Sequence, residues 1–279
     1  MKKLFTLLAL TMSFSMNAQM SDYSEGTSAT GGNAVAMGKS TTASGSRSTA
    51  MGGDSTASGD FSVAMGRGTT ASGNNSTAMG SGTIASGNNS AAMGYQTTAS
   101  GHKTTAMGAN TKASDYASLV IGQFNSSGSS VTNSATAYNT ANTAFVIGNG
   151  TDSSNKSDAF KVMFNGDTTV SNDLTVSGDV VISSDARLKS NIVSLGSTLP
   201  KLLQIDGKSY EMKGKQKIGV LAQEIQEVFP ELVTEDDNEM LAVNYQGLLP
   251  VLINALKEQD KIIKNQEERL NRIENLLLK

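Results

Sequence analysis

The chain has 279 residues, 38% of them hydrophobic but only 5% aromatic, with no Trp, no Cys and 28 glycines. It is too poor in large apolar groups for one thick globular core, and disulfides, thiolate metal sites and thiol nucleophiles are excluded. A net charge of -3 without any basic stripe sets nucleic acid aside as a partner, and His102, the only histidine, is too few for a His-based triad or a multi-His metal site within one chain. No cofactor or metal is expected, and His102 reads as an exposed loop residue.

The N-terminus reads as an export signal. Lys2 and Lys3 precede an apolar run at residues 4–14 that is too short to cross a bilayer, and Asn17-Ala18-Gln19 offers a cleavage site after Ala18. Residues 1–18 are thus a secretory signal peptide and 19–32 a leader. No other stretch suits a transmembrane helix, and no Cys stands near the cut to carry a lipid. The sequence predicts a secreted or cell-surface protein with no membrane span of its own.

An internal repeat then sets the architecture. Met37-Gly38, Met51-Gly52, Met65-Gly66, Met79-Gly80, Met93-Gly94 and Met107-Gly108 follow at fourteen-residue intervals, and Ile121-Gly122 continues the series. Ala43-Ser44-Gly45, Ala57-Ser58-Gly59, Ala71-Ser72-Gly73, Ala85-Ser86-Gly87 and Ala99-Ser100-Gly101 fall between, so glycine returns every seven residues until Ala113-Ser114-Asp115 ends the run. Fourteen residues make two short strands and two turns, with Gly supplying the positive φ or the close approach each turn needs. Alternation along a strand sends Ala36 and Ala50 one way and Met37 and Met51 the other. Ala then lines a narrow coil interior, and the Met column faces a neighbouring chain. A long helix is excluded, because each Gly costs it about 1 kcal/mol relative to Ala. A flexible linker keeps composition but not phase.

The phrases Ser62-Val63-Ala64-Met65-Gly66 and Ala71-Ser72-Gly73-Asn74-Asn75-Ser76 resemble the head repeats of YadA-like trimeric autotransporter adhesins, over residues 33–125. The resemblance implies a left-handed parallel β-roll, three rolls packed around a three-fold axis, and a head that binds a host, matrix or other surface. This chain has Met where the family's module usually has Ile. No C-terminal membrane β-barrel follows, so the family's anchoring does not carry over.

Residues 126–144 are Ser, Thr, Asn and Ala without a strong period, and read as a linker or loose turn. Strands are expected at 144–148 and at 159–164, the latter entering a turn at Asn165-Gly166-Asp167. Two more are expected at 174–176 and 180–182, around Gly178. Such strands bury little alone, but three copies wound together would each supply one wall. The stretch is similar to the β-prism stalks of phage tail fibres.

Charges and long aliphatics return at Ser184. The run Ser184-Asp185-Ala186-Arg187-Leu188-Lys189-Ser190-Asn191-Ile192 resembles the opening of the peptidase S74 domain, the intramolecular chaperone of phage endosialidase tailspikes. The match continues through Gly219-Val220-Leu221-Ala222-Gln223-Glu224-Ile225, Phe229-Pro230-Glu231, Val243-Asn244-Tyr245 and Ala255-Leu256-Lys257, covering about residues 184–260, with Asn244 where the family usually has Asp. By that resemblance Ser184 and Lys189 form a catalytic dyad and the chain is cut between Ser184 and Asp185, once, without action on other substrates. The residues are chemically suited. With no usable His, Lys is the available base for a Ser hydroxyl. It must be neutral, through burial or a nearby cation. Arg187 is a candidate for that cation, or for an oxyanion donor. Five residues apart, Ser184 and Lys189 lie on different sides of a helix or a strand. A turn with Asp185 as N-cap must fold them together, or Lys189 must come from a neighbouring chain. Attack by the Ser184 hydroxyl on its own carbonyl would pass through a strained small ring, which leaves the positioning of a water as its other role. Without the resemblance, Ser184 or Asp185 reads as a helix cap before a basic first turn.

Residues 202–229 suggest a small α+β core, with Ile225, Val228 and Phe229 on one helical face ended by Pro230. Gln223 and Glu224 are assigned a solvated or intersubunit role. From Pro250 the chain is helical. Leu252, Leu256, Gln259, Ile263, Gln266, Leu270, Ile273 and Leu277 alternate steps of four and three, the seam of a coiled coil over about residues 251–279. Gln259 and Gln266 form polar layers that fix register. The competing reading is an amphipathic helix packed on its own domain.

The sequence thus predicts a mainly β repeat fibre with a C-terminal α+β chaperone domain ending in a coiled coil. Its parts are a head at 33–125, a β-rich stalk at 126–184 and the chaperone at 185–279. The expected assembly is a secreted homotrimer. Two other readings stand beside it. One is a phage-type tail fibre component, against which the signal peptide speaks. The other is a monomeric β-solenoid that binds ice or another ordered surface through Thr and Ser ladders.

Overall fold

A computed structural model describes residues 26–236 and 239–278; the signal peptide expected at 1–18 lies outside them. The chain divides into two units, one up to Asp179 and one from Val180.

The first unit is a solenoid with two walls. Two-residue strands from Ser28–Ala29 and Thr42–Ala43 through Lys112–Ala113 stack into a narrow parallel sheet. Five-residue strands from Val35–Lys39 and Thr49–Gly53 through Leu119–Gln123 stack into a wide one. Each coil repeats the last in register, so that Met37 pairs with Met51, Met51 with Met65, Met65 with Met79, Met79 with Met93 and Met93 with Met107.

The interior is as narrow as the alanines require. Ala43, Ala57, Ala71, Ala85, Ala99 and Ala113 from one wall meet Ala50, Ala64, Ala78, Ala92 and Ala106 from the other, all fully buried. Enclosed Thr and Ser hydroxyls fill the corners, as where Thr69 Oγ1 donates to Ser55 Oγ at 2.9 Å. The Met column lies on the opposite, outward face and is half-buried. The glycines are set by backbone crowding between coils. At Gly66 (φ +128°) a Cβ would stand 1.9 Å from the Gly80 carbonyl oxygen, and at Gly45 it would stand 2.0 Å from that of Gly59.

The wide wall does not stop at residue 125. Thr143–Asn149 joins it as an eighth parallel strand, with Leu119 opposite Phe145, Ile121 opposite Ile147 and Gly122 opposite Gly148. The step is 26 residues in place of fourteen, because an irregular stretch at residues 126–142 lengthens this coil. Asp158–Met163 and Thr168–Val170 then close the sheet in antiparallel pairing. The insert is pinned by buried polar side chains. Asp115, fully buried at a glycine position of the repeat, accepts from the backbone N–H groups of Thr132 (2.6 Å) and Thr143 (2.8 Å). Asn125 accepts from Lys112 N–H and donates to Lys112 O and Ser127 O, and Asn142 bridges the N–H and C=O of Ser134.

The strands expected at 174–176 and 180–182 are not formed. Leu174 is 71% exposed and Val181 87%. A single chain offers no second strand to take their backbone hydrogen bonds.

The second unit is the expected small α+β assembly. It contains helix α1 (Leu199–Leu202), a hairpin of Lys208–Met212 and Lys215–Gly219, helix α2 (Ala222–Val228), a hairpin of Val233–Glu235 and Leu241–Val243, and helix α3 (Leu248–Leu277, 30 residues). Ile225, Val228, Phe229, Leu232 and Val251 form its core, with Leu202, Ile205, Val220, Val243 and Leu248 against them. The reading of a helix packed on its own domain holds near the start of α3. Val251 and Ala255 are buried on its own unit, while the seam residues Leu256, Ile263, Leu270 and Ile273 are uncovered. Among the described residues no helix is long and apolar enough to cross a membrane.

Candidate functional site

Asp185 organises the opening of the second unit. It is extended, and its carboxylate accepts from Arg187 N–H at 2.8 Å, capping a single 3₁₀ turn at Ala186–Leu188. Leu188 N–H to Asp185 O and Lys189 N–H to Ala186 O, each 3.1 Å, close the turn. Asp185 and Lys189 on either side of this single turn are extended, so the turn folds the chain back between positions 184 and 189. As a result Lys189 Nζ donates to Ser184 Oγ at 2.7 Å. The five-residue spacing is therefore bridged within one chain, through a turn capped by Asp185.

Arg187 sits elsewhere than expected. Its guanidinium lies on Asp185 in a two-point contact, Nε to Oδ1 at 3.0 Å and Nη2 to Oδ2 at 2.7 Å. That pairing holds the Asp185 carboxyl below and the Arg187 guanidinium above their ordinary values. The pair is open to solvent, so it contributes little stability. In the single chain Arg187 serves the turn, and it is not placed on the Ser184–Lys189 pair.

The other singled-out residues have structural work. His102 is half-buried, and its backbone N–H holds the insert through Ala135 O at 2.8 Å. Glu224 accepts from Asp206 N–H at 3.1 Å and pairs with Lys208 at 3.4 Å, fixing the entry to the first hairpin. Asn244 caps a turn, accepting from Gly247 N–H at 3.1 Å, which an Asp carboxylate would do equally. Among the described residues no group of three His, Cys, Asp or Glu is placed to hold a metal ion.

One residue of the second unit carries no sequence signal. Glu258 on α3 accepts from Ser197 Oγ (2.7 Å), Thr198 N–H (2.5 Å) and Leu199 N–H (3.4 Å), and so caps α1 from 60 residues away. These bonds, the Ser197 hydroxyl first, hold its carboxyl below the ordinary glutamate value. An acidic residue on a mixed-charge helix reads as solvated until its partner is seen.

Comparison with known families agrees with this layout. Residues 29–125 match the YadA head domain repeat in six overlapping windows, from 29–55 to 99–125. Residues 184–234 match Peptidase S74, described as the chaperone of endosialidase. No curated protein matches the chain.

Proposed function

We propose that this chain, which carries YadA head repeats followed by an endosialidase-type chaperone segment, is an exported trimeric fibre of the adhesin type. Its C-terminal unit gathers three copies and is then removed by self-cleavage between Ser184 and Asp185. The observation that carries the cleavage is the 2.7 Å contact between Lys189 Nζ and Ser184 Oγ, one residue from the bond to be cut. Three apolar surfaces left open in one copy support the trimer: the Met column, residues 174–182 and the α3 seam. The head would meet a host, matrix or other surface.

The chemistry is a hydrolysis. Water adds to the Ser184 carbonyl, and the Ser184–Asp185 C–N bond breaks. A carboxylate is left on Ser184 and an amine on Asp185. The Ser184 hydroxyl orients the water and relays its proton to the neutral Lys189 amine, which returns a proton to the departing Asp185 nitrogen. Burial favours the neutral form of a lysine amine. The turn is exposed in one copy, so assembly that covers it is the event that switches cleavage on. A fibre that has lost its chaperone has lost its path back and is kinetically trapped.

The test is intact mass on the purified full chain beside Ser184→Ala and Lys189→Ala. A wild-type fragment ending at Ser184, with both variants whole, is the expected result. A wild type that stays whole as a trimer removes the peptidase and leaves a retained assembly cap. A monomer removes the fibre reading.

A further inference from the structure

We propose that Glu258 is a positioning residue for the cleavage: its carboxylate clamps residues 197–199 onto α3 and so sets where the scissile turn lies relative to the seam through which the helices associate. The inference rests on the self-cleaving reading above and extends it.

Among the described residues, 184–196 form hydrogen bonds only with one another, through the Asp185-capped turn and the Ser184–Lys189 pair, and their side chains are exposed. The first hydrogen bonds from this segment to the rest of its unit are those of Ser197, Thr198 and Leu199 to Glu258. Thr198, 2% exposed, does not cap its own helix. Its hydroxyl donates instead to Val251 O at 3.0 Å. Val251 and Glu258 are seven residues apart, two turns of α3, and so share one face. That face adjoins the seam, since Gln259, a seam position, follows Glu258 directly. Leu202 of α1 and Ile205 just beyond it, both partly buried, pack against the core independently of Glu258. What the clamp adds is the direction and height at which the chain leaves the helix towards Ser184. Association of the seam then brings the scissile turn, tethered to that fixed point by residues 190–196, within reach of the neighbouring copies, which links cleavage to assembly.

The experiment compares the full chain with Glu258→Ala, Glu258→Gln and Glu258→Asp, following trimer content by light scattering and fragment release by mass. Wild type should assemble and cleave. The Ala variant should assemble to a similar extent and cleave at least tenfold more slowly. Gln keeps an acceptor oxygen at the same reach and should restore most of the rate. Asp keeps the charge but falls one methylene short, and should not. Were Ala to impair assembly itself, the contrast between Gln and Asp in assembled material decides. An Ala trimer that cleaves at the wild-type rate, or an Asp variant as fast as Gln, overturns the clamp while self-cleavage stands. A wild type that assembles and never cleaves overturns both.

Discussion

Gly66 and Gly53 separate two kinds of glycine in one repeat. A methyl group on Gly66 would meet the Gly80 carbonyl oxygen at 1.9 Å, whereas one on Gly53 meets nothing within 4 Å. Gly66→Ala should therefore cost on the order of 3 kcal/mol or more, the range of severe steric substitutions, and Gly53→Ala should stay within about 0.5 kcal/mol. Unfolding by denaturant of the two variants checks the contrast. The recurring glycines were legible in the sequence because crowding between coils admits no other residue there. The Ser184–Lys189 pair was legible only as a condition, since spacing alone does not tell a 3₁₀ turn from a helix. The partner of Arg187 was not legible, because its contact with Asp185 depends on how that turn closes. Glu258 gives a pH prediction with a definite sign. Its carboxyl is held low in the folded chain, so its contribution is full above the unfolded value and is lost as pH falls through the lower folded one. Amide protection at Thr198 and Leu199, followed by hydrogen exchange on the full chain, should weaken on acidification below the ordinary glutamate range. In Glu258→Gln that step should be absent.

The insert at residues 126–142 shows how an element can hide from a period. Phe145-Val146-Ile147-Gly148 repeats three of the four residues of Leu119-Val120-Ile121-Gly122, yet it arrives 26 residues later and reads as the start of something new. The signal lay in the tetrapeptide rather than the spacing. Asp115 at a glycine position was the other clue. Where the next coil no longer stacks tightly, a side chain is both allowed and needed, because Thr132 and Thr143 present inward N–H groups. Asp115→Ala leaves the buried Thr143 N–H without an acceptor, while that of the exposed Thr132 turns to water. It should destabilise the solenoid by about 1–3 kcal/mol, the cost of one buried orphaned donor, with the first loss of protection in the hydrogen exchange of residues 126–149. The strands expected at 174–176 and 180–182 failed for a different reason. Side-chain pattern reports a preference for extended backbone, but hydrogen bonding needs a second strand, and none lies within one chain.

On the scale of the whole molecule, the seam of α3 is the surface whose change should be cleanest. Ile263 and Leu270 are 46% and 59% exposed and touch no core of their own. Replacing both by Asp should leave the fold of each copy intact while turning micromolar material monomeric, as sedimentation would show. Fragment release should fail with it. The heptad spacing stands in the sequence itself. That the start of the same helix buries Val251 and Ala255 on its own unit was not readable, because both faces of the helix are apolar there. The solenoid has a consequence of another kind. Its coils from residue 35 to 109 are interchangeable: every one offers the next the same alanines, the same glycine and the same edge. Such a chain measures distance by counting. Losing or duplicating one fourteen-residue unit changes the length by one strand spacing, about 4.8 Å, and leaves the repeated strand pairing and alanine interior as they were. The gene can thus adjust the reach of the fibre in equal steps, as notches on a ruler, without redesigning any residue, and the insert anchored by Asp115 marks where the graduated part ends.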